Sequence, residues 1–275
     1  MSNLVHGTAP RVALVAGASR GIGADTAKAF AAAGYAVALG ARDTRALRDV
    51  VGEIEAAGGR AIAAATDVGD NDSMRALVAV TVDAFGRLDA AFNNASAGPM
   101  PAPLAEVDPD EFDVGIRTNV RGTFLGMRYQ IPAMLDSGGG AIVNMASVAG
   151  VRAMTNLAAY VAAKAAIIGL TEVAALDYAD RGVRVNVVAP GPILTHHLVR
   201  AGAEAQRFAG QSVPMGRIGT TSEVAEVVLW LCSKQSSFVT GATVPIDGGQ
   251  LAGNKPPQMY RQGEGMAPTR APTTT

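Results

Sequence analysis

Several residue types are scarce in this chain, and each scarcity excludes something. Cys232 is the single cysteine in 275 residues, which leaves no internal disulfide framework and no cysteine-built metal site. That usage fits a reducing compartment, and a cytoplasmic setting is expected. Charged residues make up only 17% of the chain, below the usual figure of about 25%. Lys plus Arg number 23 and Asp plus Glu 24, a net charge of −1. There is no basic excess to attract nucleic acid or an anionic membrane, and no acidic excess that argues for disorder. No stretch of about 18 apolar residues is free of charge, so no membrane span is expected. The segment Met1–Pro10 lacks the basic start and apolar run of a signal peptide. The expected partner is therefore a small molecule, not a nucleic acid or a membrane.

What is present is hydrophobic and periodic. Apolar residues make up 49% of the chain, at the upper edge for a globular protein, which hints at buried subunit contacts. Near-continuous apolar runs at Val12–Ala16, Ala36–Leu39, Ala61–Ala65, Leu88–Phe92, Ala141–Met145, Val183–Val188 and Thr243–Ile246 read as strands buried on both faces. Between them lie helical patterns at Ile22–Ala33, Thr44–Ala57, Asn71–Phe85, Pro109–Leu135, Leu157–Ala179 and Ser222–Cys232. Asp43 stands at an N-cap position, and Gly34 and Gly58 at C-cap positions. The alternation predicts an α/β chain: one parallel sheet of about seven strands with helices on both faces and right-handed crossovers. Residues 10–250 form the expected single domain. Residues 1–9 read as a short N-terminal arm, and the proline- and threonine-rich residues 251–275 as an extended or disordered tail.

The first strand runs into Gly17-Ala18-Ser19-Arg20-Gly21-Ile22-Gly23, and a helix follows directly. Glycines at such a turn let backbone N–H groups approach a phosphate, and the helix N-terminus adds partial positive charge, so the turn reads as a dinucleotide site. In an open α/β sheet, ligands bind beyond the carboxyl ends of the strands. Gly17, Asp67, Asn93-Asn94, Ser147 and Pro190-Gly191 all fall at such ends. Tyr160 and Lys164 are one helical turn apart and share a face. A nearby ammonium, together with the positive charge of an oxidised nicotinamide, favours the phenolate and would bring a tyrosine, ordinarily near pKa 10, toward neutral-pH acid/base work. Ser147 could donate a hydrogen bond to the same substrate oxygen.

With these motifs in order over about residues 10–250, the chain resembles the short-chain dehydrogenase/reductase family in its compact single-domain form, and is similar to 3-oxoacyl-acyl-carrier-protein reductase-like members. The resemblance rests on the glycine turn, Asp67-Val68, Asn93-Asn94-Ala95, Asn119, Ser147 with Tyr160-x-x-x-Lys164, and Pro190-Gly191 with Thr195. It implies a doubly wound Rossmann fold and hydride transfer between a carbonyl and a secondary alcohol. Tyr160 would be the general acid/base, and Ser147 would polarise the substrate oxygen. Lys164 would bind the nicotinamide ribose, and Asn119 would hold a water linking Lys164 to solvent. Ser19, Gly21, Ile22, Gly23 and Asn94 would help hold the cofactor. Asp67 and Val68 would contact its adenine, unless Asp67 is simply the N-cap of the next helix. Pro190, Gly191, Ile193 and Thr195 would lie along the nicotinamide. Relatives pair through two long helices, here Pro109–Leu135 and Leu157–Ala179, so a homotetramer is expected, with a dimer as fallback.

Cofactor choice turns on the end of the second strand, Gly40-Ala41-Arg42-Asp43. Ala41 stands where the acid of NAD-preferring members sits, and Arg42 with Arg20 could grip a 2′-phosphate, which favours NADP(H) over NAD(H). Asp43 could instead serve the ribose, although an N-cap role accounts for it. His196 and His197 are adjacent, diverge in direction and lack a third ligand, so no metal site is expected. Thr195–Ile218 reads as a long lid connection. Ser96 replaces the family's usual glycine after Asn-Asn-Ala, which bears on substrate class. Candidate substrates are a β-ketoacyl thioester, a polyketide-type ketone, a polyol or a steroid. The competing readings are a non-catalytic dinucleotide sensor or scaffold on the same fold, which typically lacks the Tyr/Lys pair, and an extended epimerase or dehydratase, for whose added domain no residues remain.

Overall fold

A computed structural model describes residues 10–98 and 100–253. The expected arm, all but the first three residues of the expected tail, and Pro99 lie outside the described residues. Seven strands form one sheet: β1 Val12–Ala16, β2 Ala36–Ala41, β3 Arg60–Ala65, β4 Ala90–Asn93, β5 Gly140–Met145, β6 Val183–Pro190 and β7 Thr243–Ile246. Every pairing is parallel, and the spatial order is β3-β2-β1-β4-β5-β6-β7. The order reverses between β1 and β4, and this reversal opens a crevice at the carboxyl ends of the strands.

Side-chain alternation on β1 explains why the sheet is covered twice. Val12, Leu14 and Ala16 face one core with Met74, Leu77 and Leu125, while Ala13 and Val15 face the other with Phe30, Leu47 and Val228. The outer strands depart from the expected two-sided burial. On β3, Arg60, Ala63 and Ala65 are exposed, and β7 is only partly buried. Each is an edge strand with a neighbour on one side only, so an apolar run there reads as more buried than it is.

Ten α-helices occur among the described residues: α1 Gly21–Ala32, α2 Thr44–Ala56, α3 Asn71–Phe85, α4 Pro109–Ile116, α5 Gly122–Asp136, α6 Val148–Val151, α7 Ala158–Tyr178, α8 His196–Arg200, α9 Gly202–Gln211 and α10 Thr221–Leu231. The expected single helix Pro109–Leu135 is broken. A π turn, Arg117–Arg121, separates α4 from α5 and wraps around the buried Asn119. Such a turn adds a residue to the helix without altering the apolar period enough to be read. The expected lid connection is also largely helical, made of α8 and α9, with Phe208 of α9 mostly exposed. Helix α7 packs one face on the sheet through Ala163, Ile167, Thr171 and Ala174, but Val173 and Leu176 are exposed on the other. By length and composition alone, the segment Ala158–Arg181 is apolar enough to cross a membrane, yet it carries the fully buried Lys164.

Candidate active site

The crevice has a volume of about 890 Å³ and is walled by the ends of β1, β2, β4, β5 and β6. At its floor is the turn from β1 to α1. Gly17 has φ +89°, and a Cβ there would lie 2.6 Å from the backbone nitrogen of Ala95, so only glycine fits between the two strand ends. Asn94 fastens the same junction, its Nδ2 donating to the Gly17 carbonyl at 2.8 Å. Asp43, Asp70, Asp108 and Thr220 cap α2, α3, α4 and α10 through their side chains, whereas no side chain caps α1. No acidic residue lies in its first turn either. The N–H groups of α1 are thus left for an anion arriving in the crevice, which fits the pyrophosphate of a dinucleotide.

The two ends of the crevice differ in chemistry. At the β2 end, Arg42 is exposed with no ion pair among the described residues. Arg20 pairs with Asp43 at 3.0 Å, both side chains about half exposed. Asp43 also accepts from the Ala46 N–H, so it is both the expected N-cap and an ion-pair partner. Asp67 is not the N-cap of α3; that residue is Asp70, which accepts from Ser73 N–H at 2.8 Å. The Asp67 carboxylate instead accepts from Gly69 N–H at 3.0 Å and from the Arg117 guanidinium at 2.9 Å. Burial pushes its carboxyl up, but those bonds and the charges of Arg117 and Arg42 outweigh it and hold the group below its ordinary value. Arg117 has no sequence signal toward Asp67, since the π turn alone brings it there.

At the β5 end, Ser147 begins α6, its Oγ accepting from Ala149 N–H at 3.1 Å. Its own hydrogen has two acceptors in reach, the Pro190 carbonyl along a long 3.5 Å contact and the Tyr160 phenol oxygen, and is firmly committed to neither. Tyr160 and Lys164 project from α7, with Lys164 Nζ 5.4 Å from the Tyr160 ring centroid. Lys164 is fully buried and donates to the Met145 carbonyl at 2.9 Å. Burial lowers its pKa to about 7. Burial raises the pKa of the Tyr160 phenol, and a hydrogen bond from Ser147 pulls it down. Desolvation acts against both charged forms at once, so the lysine makes no acidic phenol in the protein alone.

All the expected site residues lie on the crevice wall except Gly23 and Asn119. Gly23 stands behind the turn, where a Cβ would strike the Gly17 carbonyl at 2.1 Å, so it serves packing and not contact. Asn119 is fully buried, and its side chain donates to the carbonyls of Ala97 and Gly115 and accepts from Ser96. Both N–H donors are thereby used, and one acceptor site remains on the amide oxygen. Sequence reasoning missed Thr66, Thr118 and His196 on the wall, which no spacing marks. Ile193 is held on the crevice wall by a bridge to Gly219, and the Thr195 carbonyl accepts from Val199 N–H to start α8. Among the described residues, no group of three potential ligands from His, Cys, Asp and Glu comes together.

Comparison with known proteins agrees with this geometry. The family described as enoyl-(acyl carrier protein) reductase matches residues 17–250. Cyclohexanol dehydrogenase from an Acinetobacter species is 42% identical over 86% of this chain and 94% of its own length. The chain belongs to the short-chain dehydrogenase/reductase family. Within it, the 2,5-dichloro-2,5-cyclohexadiene-1,4-diol dehydrogenase of Sphingobium indicum is 42% identical over 87% of this chain and 96% of its own. The crystal structure of levodione reductase superposes with a TM-score of 0.85 at 34% identity, covering 89% of this chain and 98% of that one. The doubly wound fold of this short-chain dehydrogenase/reductase is thereby established along with its family.

Proposed function

We propose that this protein is a nicotinamide-dependent oxidoreductase that interconverts a secondary alcohol and a ketone, with Tyr160 exchanging the proton at the reacting oxygen. The observation that carries the reading is the convergence of a loosely committed Ser147 hydroxyl, the Tyr160 phenol and a buried amine at one strand end. When bound, the cofactor supplies or accepts the hydride. The chain's own residues do the rest. The uncapped α1 N-terminus holds the pyrophosphate, Asp67 and Val68 flank the adenine, and Ile193 and Thr195 hold the carboxamide. Lys164 keeps one N–H on Met145 and turns the others toward the nicotinamide ribose. Ser147 donates to the substrate oxygen, while Tyr160 gives its proton in reduction and takes one in oxidation. Because burial raises the phenol's pKa, it is protonated at neutral pH and ready to donate, so ketone reduction needs no prior ionisation. Alcohol oxidation needs the phenolate and rises with pH.

For cofactor choice we infer NADP(H), with NAD(H) second. Support comes from the exposed, unpaired Arg42 beside Ala41 and from an Asp43 carboxylate whose oxygens are already engaged by Ala46 and Arg20. For substrate class we infer a neutral alicyclic alcohol or ketone. Two relatives are named for cyclohexanol and for a cyclohexadienediol, and the lid helices expose Val199 and Phe208. Exposed Val114, Phe124, Val173 and Leu176 on α4, α5 and α7 favour pairing of copies through these helices, toward the tetramer. We infer a reducing, cytoplasmic setting, which the single cysteine of the sequence supports. The reading is tested by following NADPH or NADH absorbance with cyclohexanone and cyclohexanol, with Tyr160→Phe as the comparison. A variant that keeps its turnover would overturn the proton role.

A further inference from the structure

The loop after β4 reads Asn93-Asn94-Ala95-Ser96-Ala97, and Ser96 lines the crevice alongside Ser147 and Tyr160. Its Oγ donates to Asn119 Oδ1 at 2.8 Å. The direction of that bond is fixed by its neighbours. Asn119 Nδ2 sits between the carbonyl oxygens of Ala97 and Gly115, and exchanging the amide's nitrogen and oxygen would set an acceptor against two acceptors. The buried Oδ1 therefore requires a donor, and among the described residues Ser96 is the one it has. A hydroxyl carries one hydrogen and two acceptor lone pairs. With its hydrogen committed to Asn119, Ser96 turns only lone pairs toward the crevice, and no donor among the described residues satisfies them.

We propose that Ser96 is a specificity-determining residue that accepts a hydrogen bond from a second hydroxyl of the substrate, selecting a cyclic diol over the matching mono-alcohol. The inference rests on the alcohol/ketone reading above. A hydroxyl on the ring offers the donor that the site lacks. A carbonyl or ether oxygen in the same place would set lone pair against lone pair, and a bare methylene would leave the acceptor desolvated without a partner. Glycine at this position would remove the acceptor and would also free Asn119 Oδ1, so the serine ties specificity to the burial of Asn119.

The test compares kcat/KM for cyclohexanol with that for cyclohexane-1,2-, 1,3- and 1,4-diol, using NADP+ and NAD+, in the wild type and Ser96→Ala. The wild type is expected to favour at least one diol, and the alanine variant to lower that diol-to-cyclohexanol ratio by about threefold to tenfold, the scale of one lost hydrogen bond at an exposed hydroxyl. Taking the ratio within one variant cancels the harm of leaving Asn119 without its donor, because that harm reaches both substrates. Ser96→Thr keeps the hydroxyl and is expected to restore most of the ratio. If alanine lowers both substrates equally, Ser96 only positions Asn119 and the proposal is wrong. If the wild type turns over cyclohexanol and favours no diol, the proposal fails while the dehydrogenase reading stands. If none of the four alcohols reacts with either cofactor, the alicyclic reading itself falls and takes this inference with it.

Discussion

The two ends of one crevice are built on opposite electrostatic terms. At the β2 end, Arg20, Arg42 and Asp43 stand in solvent, where exposed pairs contribute little and salt screens them. At the β5 end, Lys164 is wholly buried and Tyr160 largely so, and burial alone moves both away from their ordinary pKa values. The lesson is that binding can be tuned cheaply at the exposed end, whereas proton chemistry demands a desolvated site that costs stability. Substitutions at the buried end should therefore have large effects on turnover and measurable effects on folding. Those at the exposed end should change cofactor preference and little else.

The largest effect is expected at Tyr160. Tyr160→Phe keeps the ring and removes the exchangeable proton, so kcat should fall by about a thousandfold, within the usual span for a general acid or base. Cofactor affinity, read by NADPH fluorescence, should stay within a few fold. A fall of less than tenfold would break the division between the two ends. Lys164→Met comes next, with turnover expected to fall by about a hundredfold as the ribose and phenol lose their partner. Its stability should move the other way. The amine's folded pKa, about 7, lies below its unfolded value of 10.5, so between those values the unfolded chain binds more protons. The buried lysine's penalty is full below pH 7 and fades as pH rises toward 10. Methionine should then raise the melting temperature at pH 7 by about 2–4 °C per kcal/mol of relief, and the gain should shrink by pH 10. A variant that melts lower at pH 7 and stays lower would show that the amine's bond to Met145 outweighs its desolvation.

Much of the buried end was legible in the sequence and much of its tuning was not. Strand ends are marked by apolar runs that stop at Gly17, Asn93, Ser147 and Pro190, and one helical turn puts Tyr160 and Lys164 on a face, so spacing marked the anchors of the wall while family resemblance supplied residues such as Ser19, Val68, Ile193 and Thr195. What spacing could not reveal was depth. Gly23 and Asn119 lie behind the wall because chain packing, not periodicity, decides which side of a turn meets solvent. The π turn that carries Arg117 to Asp67 was hidden for a similar reason, since one extra residue in a long helix barely alters its apolar stripe. Burial, which desolvates the tyrosine and its lysine together, was likewise hidden from spacing, so the acidity expected of the phenol is left to the charge of an oxidised nicotinamide.

Smaller effects belong to the exposed end. Arg42→Ala should weaken NADPH binding by about tenfold at low salt, the scale of one charge-assisted contact in partial solvent, and leave NADH within about twofold. The gap should narrow as salt is added. Equal losses for both cofactors would place Arg42 away from the 2′-phosphate and shift the preference toward NAD(H).

The smallest and most discriminating change is Asp43→Asn. Asparagine still accepts from the Ala46 N–H, so the cap on α2 survives and stability should hold within about 0.5 kcal/mol, since the pair lost with Arg20 is exposed. Removing that charge releases the Arg20 guanidinium and deletes a carboxylate that opposes a phosphate at this rim. The ratio of NADPH to NADH affinity should therefore rise by about threefold, a fraction of a full ion pair because water already screens the site. Titration of the two cofactors at fixed salt reads the ratio directly. A ratio that falls instead would mean that Asp43 positions Arg20 for the phosphate and does not compete for it. The ion pair would then be part of the cofactor grip, and the exposed end would prove as preorganised as the buried one.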